Sequence, residues 1–199
     1  MTEIARLRIP KVCLRLPEIT RNVLHTAMLI ISYWDSELLK HSEQVAHELL
    51  AFAPQNQEEE WYWAGLLHDI GKIGLAPQVL CKRGALTRKE RQVVQQHTLR
   101  GAAILKQIGA PLAVVHGAKY HHERWDGTGY PYDIGQQQIP LIARVLAVAD
   151  VYTALTSDRP YHRALPASQA REEIERNTGT QFDPEIVARF FERESNVTR

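Results

Sequence analysis

A chain of 199 residues with 44% hydrophobic content is long enough to bury one full core, and no linker divides it. The formal net charge of +1 hides no long run of one sign, which excludes a protein that tracks a nucleic-acid polymer or binds membranes through a polybasic surface. Two distant cysteines, Cys13 and Cys81, with no signal-peptide pattern, fit a reducing compartment, and the cytoplasm is the expected location.

In chain order, residues 1–16 mix Arg and Lys with isolated apolar residues, and Pro10 and Pro17 break any long helix, so they read as an arm. From residue 18 to 34 the spacing Ile19, Val23, Ala27, Ile30, Ile31, Trp34 is helical, and the signal restarts at Asp35 with Leu38, Leu39, Val45, Leu49 and Leu50. These are two successive helices or one bent helix. The window 23–34 carries His25, Thr26 and Ser32 and is shorter than a membrane span, so it reads as a core helix or a homodimer interface. Residues 1–35, arm and helix, are set apart from a domain over 36–199.

Glu58, Glu59 and Glu60 favour a helix start, and that helix runs to His68-Asp69, with Gly71 as its stop. Gly74, Pro77 and Gly84 mark a loop. Thr87 and Glu90 form a capping box for a helix to about Ile108, with Val93, Val94, Leu99, Ile104 and Leu105 as its apolar positions and His97 in its middle. Pro111 opens a shorter helix through Tyr120, residues 126–131 form a turn-rich loop, and Pro140 opens a helix apolar nearly all round that contains Asp150. Two amphipathic helices follow, over about 166–177 and 184–193. No strand pattern competes, so the fold class is all-α.

Five of nine histidines, His41, His68, His97, His121 and His122, fall beside the carboxylates Glu37, Asp69 and Asp150. Imidazole and carboxylate donors without thiolate suit iron, manganese, zinc or nickel and exclude a structural zinc finger. Glu37 and His41 share a helix face, and Asp150 lies in a helix too apolar to leave a carboxylate without a partner. Seven of these ligands, leaving Glu37 aside, exceed the needs of one ion that keeps a position for substrate, and they could hold two ions bridged by Asp69. Two such ions serve attack and departure at a phosphoester. Lys72, one turn beyond Asp69, and Arg159 could meet phosphate oxygens. Gly127 and Gly129 could bring backbone close to a ligand. His25, His47, His116 and His162 read as ordinary core or surface residues.

His68-Asp69-Ile70-Gly71-Lys72, the run His121-His122-Glu123-Arg124-Trp125-Asp126-Gly127-Thr128-Gly129-Tyr130-Pro131, the segment 139–145 and Ala149-Asp150-Val151-Tyr152 closely resemble the HD-GYP family of HD metal-dependent phosphohydrolases. The resemblance covers about residues 36–192. It implies an all-helical HD-domain bundle with a C-terminal helical extension, which hydrolyses cyclic di-GMP to the linear dinucleotide or GMP with two or three divalent ions, usually iron or manganese. It makes His41, His68, Asp69, His97, His121, His122 and Asp150 ligands, Glu37 the ligand of a third ion, and Lys72 and Arg159 phosphate contacts. Gly129, Tyr130 and Pro131 become a contact for diguanylate cyclase domains. The chain departs from the family at Thr153, where a second aspartate is usual, and at Gln78 and Arg83, which replace an aspartate and a proline. A non-catalytic nucleotide- or cyclase-binding adaptor, and a hydrolase of another nucleotide such as cyclic GMP-AMP, are the alternatives.

Overall fold

The change of period at Asp35 is a break between two helices. Asp35 takes an extended backbone (φ −155°), and its Oδ1 accepts from Glu37 N and Leu38 N at 3.0 Å each, satisfying donors that a helix start leaves open. It separates α1 (Glu18–Trp34) from α2 (Ser36–Leu50). The structure, a computed structural model, describes residues 16–80, 82, 84–158 and 163–197. The arm over 1–15, both cysteines, Arg83, Arg159 and His162 lie outside these residues.

The chain continues as α3 (Glu58–Leu67), a 3₁₀ helix (Ile70–Gly74), α4 (Pro77–Leu80), α5 (Arg88–Gln107) and α6 (Leu112–Tyr120). A second 3₁₀ turn (Gln136–Gln138) precedes α7 (Leu141–Thr156), α8 (Ala167–Arg176) and α9 (Pro184–Val197). Among the described residues no strand forms beyond a single bridge between Thr178 and Phe182. Pro111 and Pro140 stand directly before α6 and α7, and Thr87 and Glu90 make the reciprocal capping box of α5.

Two local expectations need correction. α3 ends at Leu67, and Gly71 lies inside the 3₁₀ helix rather than stopping α3. Its lack of a side chain serves a close approach to α5: a Cβ there would sit 2.0 Å from the His97 carbonyl oxygen. The apolar positions assigned to α5 are also largely wrong, since Val93, Leu99 and Ile104 are 42%, 38% and 39% exposed and only Leu105 of that set is fully buried. The buried face is His97, Thr98, Gly101, Ala102 and Leu105. A surface that accepts another backbone at van der Waals distance needs small residues, and a site needs polar ones, so hydropathy pointed to the wrong face.

Two apolar clusters hold the helices. In one, Val45, Leu49, Trp61, Leu146, Val148, Ile174 and Phe190 join α2, α3, α7, α8 and α9, and Phe52 stacks on Phe190 at 5.6 Å. In the other, Leu24, Met28, Trp63, Leu66, Leu105 and Val114 join α1, α3, α5 and α6. α3 contributes to both and is buried along nearly all its length. Each fully buried leucine there contributes roughly 1.5–3 kcal/mol of transfer free energy. α1 spends Leu24, Ala27, Met28 and Ile31 on this core and turns Ile19, Ile30 and Tyr33 outward. The packing brings the C-terminal ends of α3 and α6 to the middles of α2, α5 and α7.

Candidate metal centre

His68 caps the C-terminus of α3 and Asp69 follows it, while His121 caps α6 and His122 follows it. His41 comes from α2, His97 from the middle of α5 and Asp150 from α7. These seven residues form two groups whose donor atoms lie within 4.8 Å of one another: Asp69, His97, His121 and His122, and His41, His68 and Asp150. Asp69 joins them. Its Oδ1 lies 3.2 Å from His97 Nε2 and 3.7 Å from His121 Nε2, and its Oδ2 lies 3.3 Å from His68 Nε2. His41 Nε2 lies 2.7 Å from Asp150 Oδ1.

Backbone carbonyls set the tautomers of three of the histidines. Nδ1 of His68 donates to Gly65 O at 2.7 Å, that of His97 to Val94 O at 2.7 Å, and that of His121 to Gly117 O at 3.0 Å. A carbonyl only accepts, so the proton sits on Nδ1 and each Nε2 turns a lone pair inward. Nε2 of His97 and Nε2 of His121 then face each other at 3.4 Å with no proton between them. His68 Nε2 and Asp69 Oδ1 are buried without a well-formed hydrogen bond. Inward lone pairs converging on buried carboxylates leave an arrangement that a divalent cation satisfies.

The electrostatics agree. Burial holds the His121 imidazolium down to a pKa of about 4, and burial with the neighbouring His121 holds His122 well below the ordinary value. Burial would raise the Asp69 carboxyl, but the Lys72 ammonium and His68 outweigh it and keep the pKa well below the usual carboxylate range. Asp150 is likewise lowered, with His41 and His68 overcoming its burial. His68 is opposed by burial yet raised on balance by Asp69. Neutral imidazoles and ionised carboxylates are the protonation states that coordinate a metal.

Lys72 forms an ion pair with Asp69 Oδ2 at the edge of the groups. Glu37 does not join them: its side chain is 59% exposed and lies 2.8 Å from Lys40 Nζ. Arg159 lies outside the described residues. Gly127 adopts φ +77°, and Gly129 packs so closely on its own loop that a Cβ would lie 2.4 Å from Arg124 N, so both glycines have a role within the chain. The Tyr130 ring turns inward, 4.8 Å from that of His122. His25, His47 and His116 lie against Trp63, Tyr62 and Tyr120, away from both groups. Thr153, at the position of the family's second aspartate, is 4% exposed.

Sequence reasoning passed over Glu123, which is 3% exposed and accepts a hydrogen bond from Tyr132 N at 2.7 Å. The available signal was a lone carboxylate between the paired histidines and a glycine turn. The carbonyl anchors of Gly65, Val94 and Gly117 carry no side-chain signal at all.

The sequence matches the HD domain family over residues 19–186. It is 36% identical to a cyclic di-GMP phosphodiesterase of Thermotoga maritima over 88% of this chain and 50% of that protein. It is 37% identical to 3'3'-cGAMP-specific phosphodiesterase 3 of Vibrio cholerae over 74% of this chain and 33% of that one. The chain thus spans half or less of the length of these relatives. A solved structure of a cyclic GMP-AMP specific phosphodiesterase of V. cholerae superposes with a TM-score of 0.65 at 18% identity, covering 85% of this chain and 49% of that one, and shows the same fold. The chain belongs to the HD domain family, and its His-Asp and His-His to Gly-Tyr-Pro motifs place it in the HD-GYP group.

Proposed function

We infer that this chain is a metal-dependent phosphodiesterase of cyclic dinucleotides, with cyclic di-GMP as the preferred substrate. The observation that carries the reading is the pair of donor groups joined through Asp69, which supplies ligands for two ions side by side. His97, His121, His122 and Asp69 would hold one ion, and His41, His68 and Asp150 the other, with Asp69 lying between the two groups. Iron or manganese suits a donor set of imidazoles and carboxylates without thiolate. Bound there, two divalent ions supply an activated water near neutral pH and Lewis acidity at the attacking and leaving oxygens of a phosphoester.

The chain's own residues do the rest by position and charge. Asp69 fixes the spacing of the two groups. Lys72 stands at the edge of the site with its ammonium on Asp69, and the same charge can neutralise a phosphate oxygen. The carbonyl-anchored tautomers keep His68, His97 and His121 from donating protons into the site. Glu37 lies outside both donor groups, paired with Lys40, so two ions are what the grouped donors support. Arg159 is proposed as a second phosphate contact. Gly129 is buried and Tyr130 and Pro131 are half-buried, so a cyclase domain would meet the loop chiefly at the exposed Tyr132.

The test is turnover of cyclic di-GMP by metal-replete protein, beside His68→Ala and Asp69→Ala. Loss of product in both variants with the fold retained supports the reading, and unchanged turnover in either refutes it. The mixed dinucleotide named for the V. cholerae relative is the alternative substrate, and rates on the two compounds side by side decide between them.

A further inference from the structure

We propose that Tyr130 is a positioning residue for His122, its ring fixing the imidazole's orientation where His68, His97 and His121 use a backbone carbonyl. The proposal rests on the reading of His122 as a metal ligand. His68, His97 and His121 each give Nδ1–H to a carbonyl of their own helix. Among the described residues no carbonyl holds His122, whose ring is enclosed instead by rings: His121 at 4.1 Å, His97 at 5.1 Å and Tyr130 at 4.8 Å with an interplanar angle of 31°. His121 and His97 belong to the site itself, so Tyr130 is the support from outside it.

Tyr130 is held on both sides. Its amide donates to His122 O at 3.2 Å, which ties the tyrosine to the backbone of the residue its ring covers. Before it, Gly129 lies against the backbone of residues 122–124, where a Cβ would be 2.5 Å from Glu123 Cα and 2.6 Å from His122 O. After it, the buried Glu123 carboxylate accepts from Tyr132 N. The loop is therefore stapled to the two residues that follow His121, and the staple presses the ring onto the imidazole. Ligand-orienting groups outside the coordination sphere typically change metal affinity by about 10- to 100-fold when removed.

Manganese(II) titration of the full chain, read as ions bound and their affinities, tests this. Tyr130→Leu removes the flat ring while keeping an apolar side chain and is expected to weaken one of two sites by about 10- to 100-fold while the other keeps its affinity. Tyr130→Phe keeps the ring and is expected to bind both ions as the unaltered chain does. Glu123→Ala loosens the staple without touching the ring and is expected to weaken the same site. Wild-type affinity at both sites in a folded Tyr130→Leu protein overturns the proposal, as does Tyr130→Phe losing as much as Tyr130→Leu. Should the leucine variant not fold, wild-type affinity in Glu123→Ala overturns it equally. An unaltered chain that binds no manganese overturns the ligand reading as well, so the two failures are distinguishable.

Discussion

Replacing Gly71 with alanine inserts one methyl group between the His-Asp turn and the helix that carries His97. The new Cβ would lie 2.0 Å from His97 O, 2.6 Å from Gly101 N and 2.8 Å from His97 C, all backbone atoms that no rotamer change can move. Restoring even the 3.4 Å at which ordinary contact begins requires α5 and the 3₁₀ helix to separate by more than 1 Å at His97. Overpacking of this kind costs about 1–3 kcal/mol or more, which lowers the thermal midpoint of a domain this size by roughly 2–12 °C. The functional cost is larger, because ligand distances tolerate only about 0.2 Å. We expect Gly71→Ala to lose the ion held by His97 while keeping most helical content. The assay pairs thermal unfolding by circular dichroism with manganese quantification. Gly74→Ala is the control, since the atom nearest its Cβ is the mobile Arg100 Nη1 at 3.6 Å, and it is expected to change stability by less than about 0.5 kcal/mol. A Gly71→Ala protein with wild-type midpoint and metal content would refute the close-approach reasoning.

The two donor groups should be separable: His41→Ala and His121→Ala are each expected to lose one ion of two, measured by metal analysis after reconstitution and desalting. In metal-free protein, histidine NMR titration should find His121 neutral down to a pH of about 4 and His68 titrating above its ordinary value. Because unfolded His121 protonates near the ordinary 6.5 and folded His121 only near 4, the unfolded state binds the extra proton between them, so this residue's contribution makes stability fall as pH drops through that window. Lys72→Met removes the ammonium beside Asp69 and is expected to lower kcat/KM by about 10- to 150-fold, the value of a charged hydrogen bond of about 1.5–3 kcal/mol.

The all-helical fold and the seven residues that the structure brings together in the two donor groups were legible because each carried a local chemical signal. Asp35 and Thr87 are short polar residues that start helices, Pro111 and Pro140 stand just before them, and the paired His-Asp and His-His steps terminate two others. Asp150 was legible as a carboxylate stranded in an apolar helix. Two of the misreadings share a cause, which is backbone contact across long sequence separation. Gly71 looked like a helix stop because the sequence cannot show that His97 lies above it, and α5 was turned to the wrong face because Gly101 and Ala102 look unremarkable until another helix must come close. Glu37 shares a helix face with His41 yet pairs with Lys40, a choice among neighbours that spacing alone does not decide. Glu123 was missed because its partner is a backbone amide nine residues on.

The most direct test reconstitutes the protein anaerobically with iron(II) or manganese(II), counts the ions retained, and assays cyclic di-GMP hydrolysis on the same sample. Two ions per chain and formation of the linear dinucleotide are expected. A chain that retains no metal, or that retains two ions and hydrolyses no cyclic dinucleotide, would contradict the proposed function.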